Sequence, residues 1–549
     1  MRTCNFRTIL GCLGAMVLSA CGVPACEDLL AAGLDGAAFV ASSSAVEIRM
    51  AKCDGSISFK FRAYKWHSGE VSGEFAPKVG RNDDIWLMPV TFPLQQIEIV
   101  ATVGEKEYRS DKFYAGKVDL IDGNVVGMLS VIDYQGRSRV FASRSGMFSE
   151  IDYATKTVKE AQYVHYGVDA SDKVVNLEDL HHQYAVPNFE VDVTGQISVT
   201  LMTQQGYIAR ACLYNTCESQ VRQIAIPISD LSNSDDFTYV SSLPSILRVS
   251  EKYYFASTFG KDTLRGTLLN KDLVEISRGR VSLDETYNDE LKRYTEESVF
   301  LPTVSRVAHA RYGTTNLVSV GRTVFQIDGT EVTTYTHGEL TNNALFANDV
   351  SIFAGLVQGE VLVGYGPDSY HAGVCQNCKV KDSEGNIPNV LPTIFYKSYN
   401  EIQLAFFAGK DGLIHLSFDG EALSESVVTN STIGANHHFE FLLANDIDGD
   451  GESDLLFGNS TNLVMQSKSN EVIELFSRKN QHRDTLGHEP AIVDLDGDGA
   501  AELLLSFGHG ECQFSKCEGQ MGVLHTLGKF QTGERAWNSH NHQNVWYDE

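Results

Sequence analysis

Two short acidic stretches concentrate the chemistry of the chain. Asp446-Ile447-Asp448-Gly449-Asp450-Gly451-Glu452-Ser453-Asp454 puts carboxylates at its first, third, fifth and ninth positions. Asp494-Leu495-Asp496-Gly497-Asp498-Gly499-Ala500-Ala501-Glu502 repeats the arrangement, with Glu at the ninth. Carboxylates this close repel unless a cation sits among them. Hard oxygen ligands at positions one, three and five converge when glycines let the backbone wrap, which suits Ca²⁺. The carbonyl of the seventh residue, Glu452 or Ala500, would complete the shell. Mg²⁺ fits less well, because it prefers to keep its waters. Two acidic surface turns are the bland alternative, and a second copy running into a matching apolar strand argues against it. An EF-hand needs a bidentate Glu at position twelve. Phe457 and Leu505 stand there, so that reading fails.

Other chemistry is sparse. The sequence shows no G-x-S-x-G elbow, P-loop, H-E-x-x-H or G-x-G-x-x-G motif. No catalytic residue is nominated. His181-His182, His437-His438 and His540-Asn541-His542 could ligate a metal, but such pairs in turn-rich sequence are more often solvated or hydrogen-bonded. Cys375-Gln376-Asn377-Cys378 could be a redox pair or half a zinc site. Its polar, turn-rich setting favours a plain disulfide. The tail from Arg535 to Asn544, with Trp546-Tyr547 behind it, reads first as a segment that closes a ring or plugs its mouth. A carbohydrate site is the sharper reading.

The elements that must position these loops are strands. From about Val118 onward, small and apolar runs alternate with glycine or polar turns. Examples are Val140-Phe141-Ala142 before Met147-Phe148, Leu317 to Gly321 before Val324 to Gly329, and Leu455-Leu456-Phe457-Gly458 before Leu463-Val464-Met465. The recurrence lies within reach of the period of about 40 to 50 residues that marks propeller blades. Short twisted strands with apolar faces cannot stand alone, and radial stacking buries both faces while hiding edges. The expectation is an all-β chain. Residues 117–549 form a β-propeller of seven or eight blades. A small β-sandwich-like domain precedes it at 21–116, with an immunoglobulin-like sandwich as the natural expectation and Trp66 and Trp86 as core anchors. Helix is scarce, and the best candidate follows the Ser282/Glu285 capping pattern.

Composition narrows the partners. The 549 residues carry 71 acidic and 44 basic side chains, a formal charge of −27. Such a charge disfavours nucleic acid and anionic membrane surfaces. The 43% hydrophobic and 10% aromatic content excludes intrinsic disorder. Arg2 and Arg7 precede a short apolar run from Thr8 to Leu18, too short to span a bilayer and suited to a secretory signal over 1–20. Of the 11 cysteines, Cys4 and Cys12 leave with the leader. In an oxidising compartment the close spacings suggest Cys26–Cys53, Cys212–Cys217, Cys375–Cys378 and Cys512–Cys517.

Two resemblances add to this. Leu18-Ser19-Ala20-Cys21 resembles a bacterial lipobox, in which lipid, palmitate included, is attached to the cysteine, here Cys21. Gly22 after it is similar to the pattern that sorts Gram-negative lipoproteins to the outer membrane. The D-x-D-x-D-G-x-x-D pattern with its following apolar strand and glycine turn resembles the FG-GAP/VCBS repeat of integrin-α-like propellers. It covers Asp446–Asp454 with Leu455-Leu456-Phe457-Gly458, and 494–502 with Leu503 to Gly508. Asp119 to Asn124 and Asp192 to Gly195 resemble eroded copies. The resemblance implies Ca²⁺ in inter-strand hairpins at two sites and a role in binding or adhesion, without naming a ligand.

The reading is therefore an envelope-anchored, calcium-binding propeller lipoprotein that binds a protein or glycan and touches the membrane only through its lipid. An outer-membrane assembly scaffold is one alternative. A propeller hydrolase or lyase with residues scattered over the blades is the other. Cys21→Ser should abolish lipid attachment and move the protein from the detergent to the aqueous phase in Triton X-114 partitioning. Unchanged detergent partitioning would remove the lipid anchor.

Overall fold

A computed structural model describes most of the chain between Val23 and Tyr547. Outside it lie residues 1–22, the stretches 123–127, 162–165, 169–173, 177–187, 224–244, 283–306, 366–372, 376–392, 429–440, 478–483, 510–518 and 532–544, and several others of two to four residues or single residues. The lipobox with Cys21, the paired histidines, the helix expected after Ser282, and Cys217, Cys378, Cys512 and Cys517 therefore lie outside the described residues. The chain divides into two compact units. One holds Met1–Ala38, Val46–Pro89 and Ile97–Phe113, and the other holds Phe39–Ala45, Val90–Gln96 and Tyr114–Glu549.

The smaller unit is built on strands with one helical turn. Ser58–Tyr64 alternates buried and half-exposed residues, as a strand with one face on a core does. It pairs antiparallel with Val71–Phe75 on one side and neighbours Gln95–Val103 on the other. Phe59, Phe61, Ile97 and Ile99 supply the fully buried interior. A second small sheet contains Ala45–Arg49, Ile85–Pro89 and Gly80–Asn82. Trp86 meets Phe59 at 5.4 Å between ring centroids, but Trp66 and Trp86 are only partly buried. The tryptophans rim the core, and the phenylalanines and isoleucines fill it. The short helix Cys26–Ala31 is stapled by the Cys26–Cys53 disulfide, with Cα atoms 4.8 Å apart.

The larger unit repeats one motif. Among the described residues, eight sheets follow one another, each built on an antiparallel run of about four strands, with three further strands added to the second, two of them through parallel pairings. Their first strands are Met128–Tyr134, Asn188–Val191, Ser245–Arg248, Val307–Tyr312, Leu340–Asn348, Thr393–Ser398, Phe441–Asn445 and Ala491–Val493. First strands of successive sheets touch one another, as Val307–Tyr312 touches Leu340–Asn348 and Thr393–Ser398 touches Phe441–Asn445. The ring also closes, because Ala491–Val493 of the eighth sheet touches Met128–Tyr134 of the first. This is the architecture of a β-propeller, with first strands innermost.

Closure comes from pairing distant parts of the chain. The fourth strand of the eighth sheet is Val118–Ile121, which pairs antiparallel with Gly519–Lys529 in the register Val118↔Leu524 to Ile121↔Met521. The C-terminal strand Val545–Tyr547 does not perform this closure. It runs parallel to Asn188–Val191 along the inner edge of the second sheet. Asp119 thus lies on the closing strand, and Gly123 and Asn124 of the expected eroded copy lie outside the described residues.

Apolar side chains between sheets hold the ring. Phe141 and Phe148 of the first sheet pack on Phe189 of the second, at 5.3 and 5.9 Å between centroids. Ile121, Val131, Val140, Ala491, Val493 and Val523 form the joint between the eighth sheet and the first. Between the third and fourth sheets, Phe255 meets Phe325 at 5.0 Å directly over Gly266. A Cβ on Gly266 would come within 2.4 Å of the Phe255 ring and 2.5 Å of Phe325. Gly266→Ala should therefore destabilise the protein by about 1–3 kcal/mol, the usual cost of overpacking a core. Denaturant melts that match the wild type would show that this joint is loosely packed.

Candidate metal centre

Both acidic loops join the first strand of a sheet to its second. In the seventh sheet the loop connects Phe441–Asn445 to Asp454–Asn459, and in the eighth it connects Ala491–Val493 to Ala500–His509. The registers correspond, with Asn445 opposite Asp454 in one and Val493 opposite Glu502 in the other. The glycines between the acids turn the chain: Gly449, Gly451, Gly497 and Gly499 have φ between 78° and 89°, where a side chain is strained.

The wrap is fixed by carboxylates accepting backbone N–H groups. Asp446 Oδ1 accepts from Gly449 at 2.8 Å and its Oδ2 from Gly451 at 3.2 Å. Asp494 accepts from Gly497 and Gly499 in the same way, at 2.8 and 3.1 Å. Asp448 and Asp450 accept from the N–H two residues on, as do Asp496 and Asp498. The ninth residue turns one oxygen back into the loop. Asp454 Oδ2 accepts from Ile447 and Asp448, and Glu502 Oε2 from Leu495.

The loops differ in which oxygens they gather. Asp446, Asp448 and Asp454 bring ligand atoms within 4.8 Å of one another, and all three side chains are buried. In the second loop the equivalent group is Asp494, Asp496 and Asp498. Glu502, one methylene longer than Asp454, instead shares a group with Asp496 and His525. Asp450 is exposed and belongs to no such group among the described residues, and neither do Glu452 and Ala500, which were expected to offer only their carbonyls.

Burial makes these groups expensive as anions. It raises the carboxyl of Asp454 to about 8, with the neighbouring Asp448 charge adding to the effect. Burial raises Glu502 to about 8 as well, helped by Asp496 and Asp494. Asp494 is shifted upward for the same reasons. A divalent cation removes this cost by replacing protons with charge. The donor set fits one: oxygen-only, preformed, and containing in Glu502 Oε1 a buried atom that accepts no hydrogen bond.

Each loop docks on the next sheet around the ring. Lys529 N–H donates to Asp446 Oδ2 at 3.1 Å, and Gly528 N–H to the Ile447 carbonyl at 3.1 Å. A Cβ on Gly528 would fall 1.9 Å from the Asp446 carbonyl oxygen, so no larger residue fits there. Gln531 reaches back to Asn445, Gly451 and Ser453. The second loop meets the first sheet, where Ser138 N–H donates to the Asp494 carbonyl and Asp494 N–H to Ser138 Oγ. At the same place in the second sheet, Asp192 forms a smaller turn. Its Oδ1 accepts from Thr194 N–H, Thr194 Oγ1 and Gln196 N–H. There a hydroxyl and amides occupy the acceptor.

Sequence spacing missed His525, which stands opposite Glu502 on the adjacent strand, and placed Asp119 in an eroded loop copy, whereas strand pairing brings it to His525 from far along the chain. Cys212 is disulfide-bonded, and its expected partner Cys217 lies outside the described residues.

No protein-family model matches the chain, and no curated protein matches it in sequence. The FG-GAP/VCBS resemblance thus rests on the two loops themselves. Among solved structures, the chain is similar to the WD40 domain of SCAP from fission yeast, at 7% identity and TM-score 0.35, covering 75% of this chain and 95% of that one. It is similar to Citrobacter koseri AztD, at 7% identity and TM-score 0.34, covering 77% and 95%. A quinonprotein alcohol dehydrogenase-like protein from Bacteroides thetaiotaomicron is similar at 10% identity and TM-score 0.30, covering 80% and 94%. The propeller assignment here rests on sheet order and ring closure.

The raised carboxyls set a pH test on metal-free protein. A group whose carboxyl rises on folding contributes stability that is present at low pH and lost as pH climbs through its folded value. For Asp454 and Glu502 that window runs from the ordinary carboxylate range to about 8. In chelator, the urea midpoint should fall between about pH 5 and about pH 8, and calcium should flatten that slope. A metal-free midpoint that holds or rises over the window would overturn the burial argument.

Proposed function

We propose that this chain is an envelope-anchored, calcium-stiffened β-propeller of eight blades, carried behind a small β-sandwich-like domain, that works as a binding or adhesion module for a protein or glycan. One observation supports it most. The two aspartate loops hold backbone of the adjoining sheet, so a cation bound in either would lock two blades together rather than meet a substrate. In this reading Ca²⁺ lies among Asp446, Asp448 and Asp454 in one loop and Asp494, Asp496 and Asp498 in the other. The carbonyls of Glu452 and Ala500 complete the shells. A rigid ring displays its inter-strand loops at fixed positions, which lowers the ordering cost of binding. The charge of −27 directs it towards neutral or basic partners and away from nucleic acid. Lipid on Cys21 would tether it to the outer membrane.

Asp448→Ala should bring the melting temperature in calcium down to near the chelated wild-type value, because ligand binding to the native state stabilises it by about 2.7 kcal/mol at a hundredfold excess over Kd. A melting temperature indifferent to chelator would remove calcium from the proposal. Glycan arrays and pull-downs with soluble Cys21→Ser protein, with and without Ca²⁺, test the binding role. Blank results in both conditions, alongside envelope defects on deletion, would transfer the role to an assembly scaffold.

A further inference from the structure

The residue that distinguishes the second loop from the first points beyond calcium. Glu502 is 1% exposed, its Oε2 is occupied by Leu495 N–H, and its Oε1 accepts no hydrogen bond. That oxygen faces His525 Nδ1 at 3.9 Å, and Asp496 completes a group whose ligand atoms lie within 4.8 Å of one another. His525 comes from the adjacent strand, Gly519–Lys529, where Glu502 and His525 are cross-strand partners.

The opposite side of the imidazole is already committed. His525 Nε2 lies 2.9 Å from Asp119 Oδ2 on the closing strand Val118–Ile121. Lys156 lies 2.8 Å from the other oxygen of Asp119, and Lys117 and Tyr153 donate to Oδ2 at 3.0 and 2.7 Å. Lys156, Lys117 and Tyr153 surround the Asp119 carboxylate with donors, so it stands as an acceptor towards each of its neighbours. Nε2 therefore carries the proton it shares with Asp119, and Nδ1 presents a lone pair to Glu502 Oε1. Two lone pairs facing each other in a buried site need a cation between them. A carboxylate holding the far nitrogen of a histidine is the arrangement that orients metal-binding imidazoles.

We propose that Asp496, Glu502 and His525 form a separate centre for a first-row transition ion of the zinc class, oriented by Asp119 and distinct from the calcium group of Asp494, Asp496 and Asp498. The nitrogen ligand selects it: imidazole suits zinc and its neighbours, whereas calcium takes oxygen. Bonds of about 2.0–2.2 Å require the Asp496 carboxylate to swing inward by roughly an ångström. Three protein ligands leave a fourth position for water or a partner's donor.

The test uses the mature chain, stripped with chelator and dialysed against micromolar Zn²⁺ in millimolar Ca²⁺, with both metals counted by mass spectrometry. Wild type should hold one zinc more than His525→Gln, while both keep the same calcium. Asp498→Asn should lose one of the two calcium ions and keep the zinc. Asp119→Asn, which removes no ligand, should weaken zinc binding about 10–100-fold. Cobalt substitution should give visible d–d absorption in wild type and lose it in His525→Gln. Equal zinc in wild type and His525→Gln would overturn the centre, leaving a proton shared along Asp119, His525 and Glu502. Loss of both metals in Asp498→Asn would also overturn it, by showing one shared site. Zinc retained in a protein that binds no calcium would sink the calcium reading and leave this centre standing.

Discussion

The structure turns on anionic side chains buried where one sheet meets the next. Asp446, Asp454, Asp494 and Glu502 are each between 0 and 5% exposed, and their partners are almost entirely backbone N–H groups of their own or the neighbouring sheet. Backbone amides lower the energy of a carboxylate but do not cancel its charge. Carboxylates gathered in threes leave a local excess of negative potential that burial amplifies. The loops thus store an electrostatic cost that protons or divalent ions relieve, and relief by an ion adds a tie between sheets.

That tie reinforces the joints through which the ring closes. The eighth sheet borrows its fourth strand, Val118–Ile121, from the opposite end of the unit. The acid loops sit on either side of this sheet, the first touching its last long strand at Gly528 and Lys529, the second touching the first sheet at Ser138. A ring closed by four residues of ladder is weakest there, because opening needs only that strand to peel away. The apolar joint of Ile121, Val131, Val140, Val493 and Val523 carries the closing strand into the core. The polar cluster at Asp119 pins its other face to His525 and Lys156. Elsewhere around the ring, joints such as Phe141–Phe189 and Phe255–Phe325 rest on aromatic packing.

Sequence legibility follows the range of each interaction. Strand alternation and D-x-D-x-D-G spacing are local, so the all-β repeat and the position of both loops at hairpins could be read directly, down to the glycines at positive φ. The Cys26–Cys53 pairing was readable because Cys4 and Cys12 were given to the leader and Cys21 to the lipid, which leaves no other cysteine before Cys212. What closes the ring was not readable. The aromatic tail suggested closure, but Val545–Tyr547 follows the inner edge of the second sheet, and an unremarkable Val-Asp-Leu-Ile segment closes instead. Trp66 and Trp86 stop short of full burial, Trp66 in the turn after its strand and Trp86 at the edge of the core beside Phe59. His525 gave no signal and Asp119 a misplaced one, because their meeting comes from a strand pairing that spans most of the chain.

The two loops also show how one methylene changes what a repeat can do. Asp and Glu both return one oxygen to the loop backbone, Asp454 to Ile447 and Glu502 to Leu495. With that oxygen fixed, the second is placed by side-chain length. In Asp454 it stays with Asp446 and Asp448; in Glu502 it reaches the strand carrying His525. The substitution thus moves a ligand out of an all-oxygen group and beside a nitrogen, without disturbing the hairpin register that both copies share. On the proposed two-metal reading, a repeat built this way would change metal preference and keep its folding role, because the backbone capping and the ligand direction reside in different oxygens of one carboxylate.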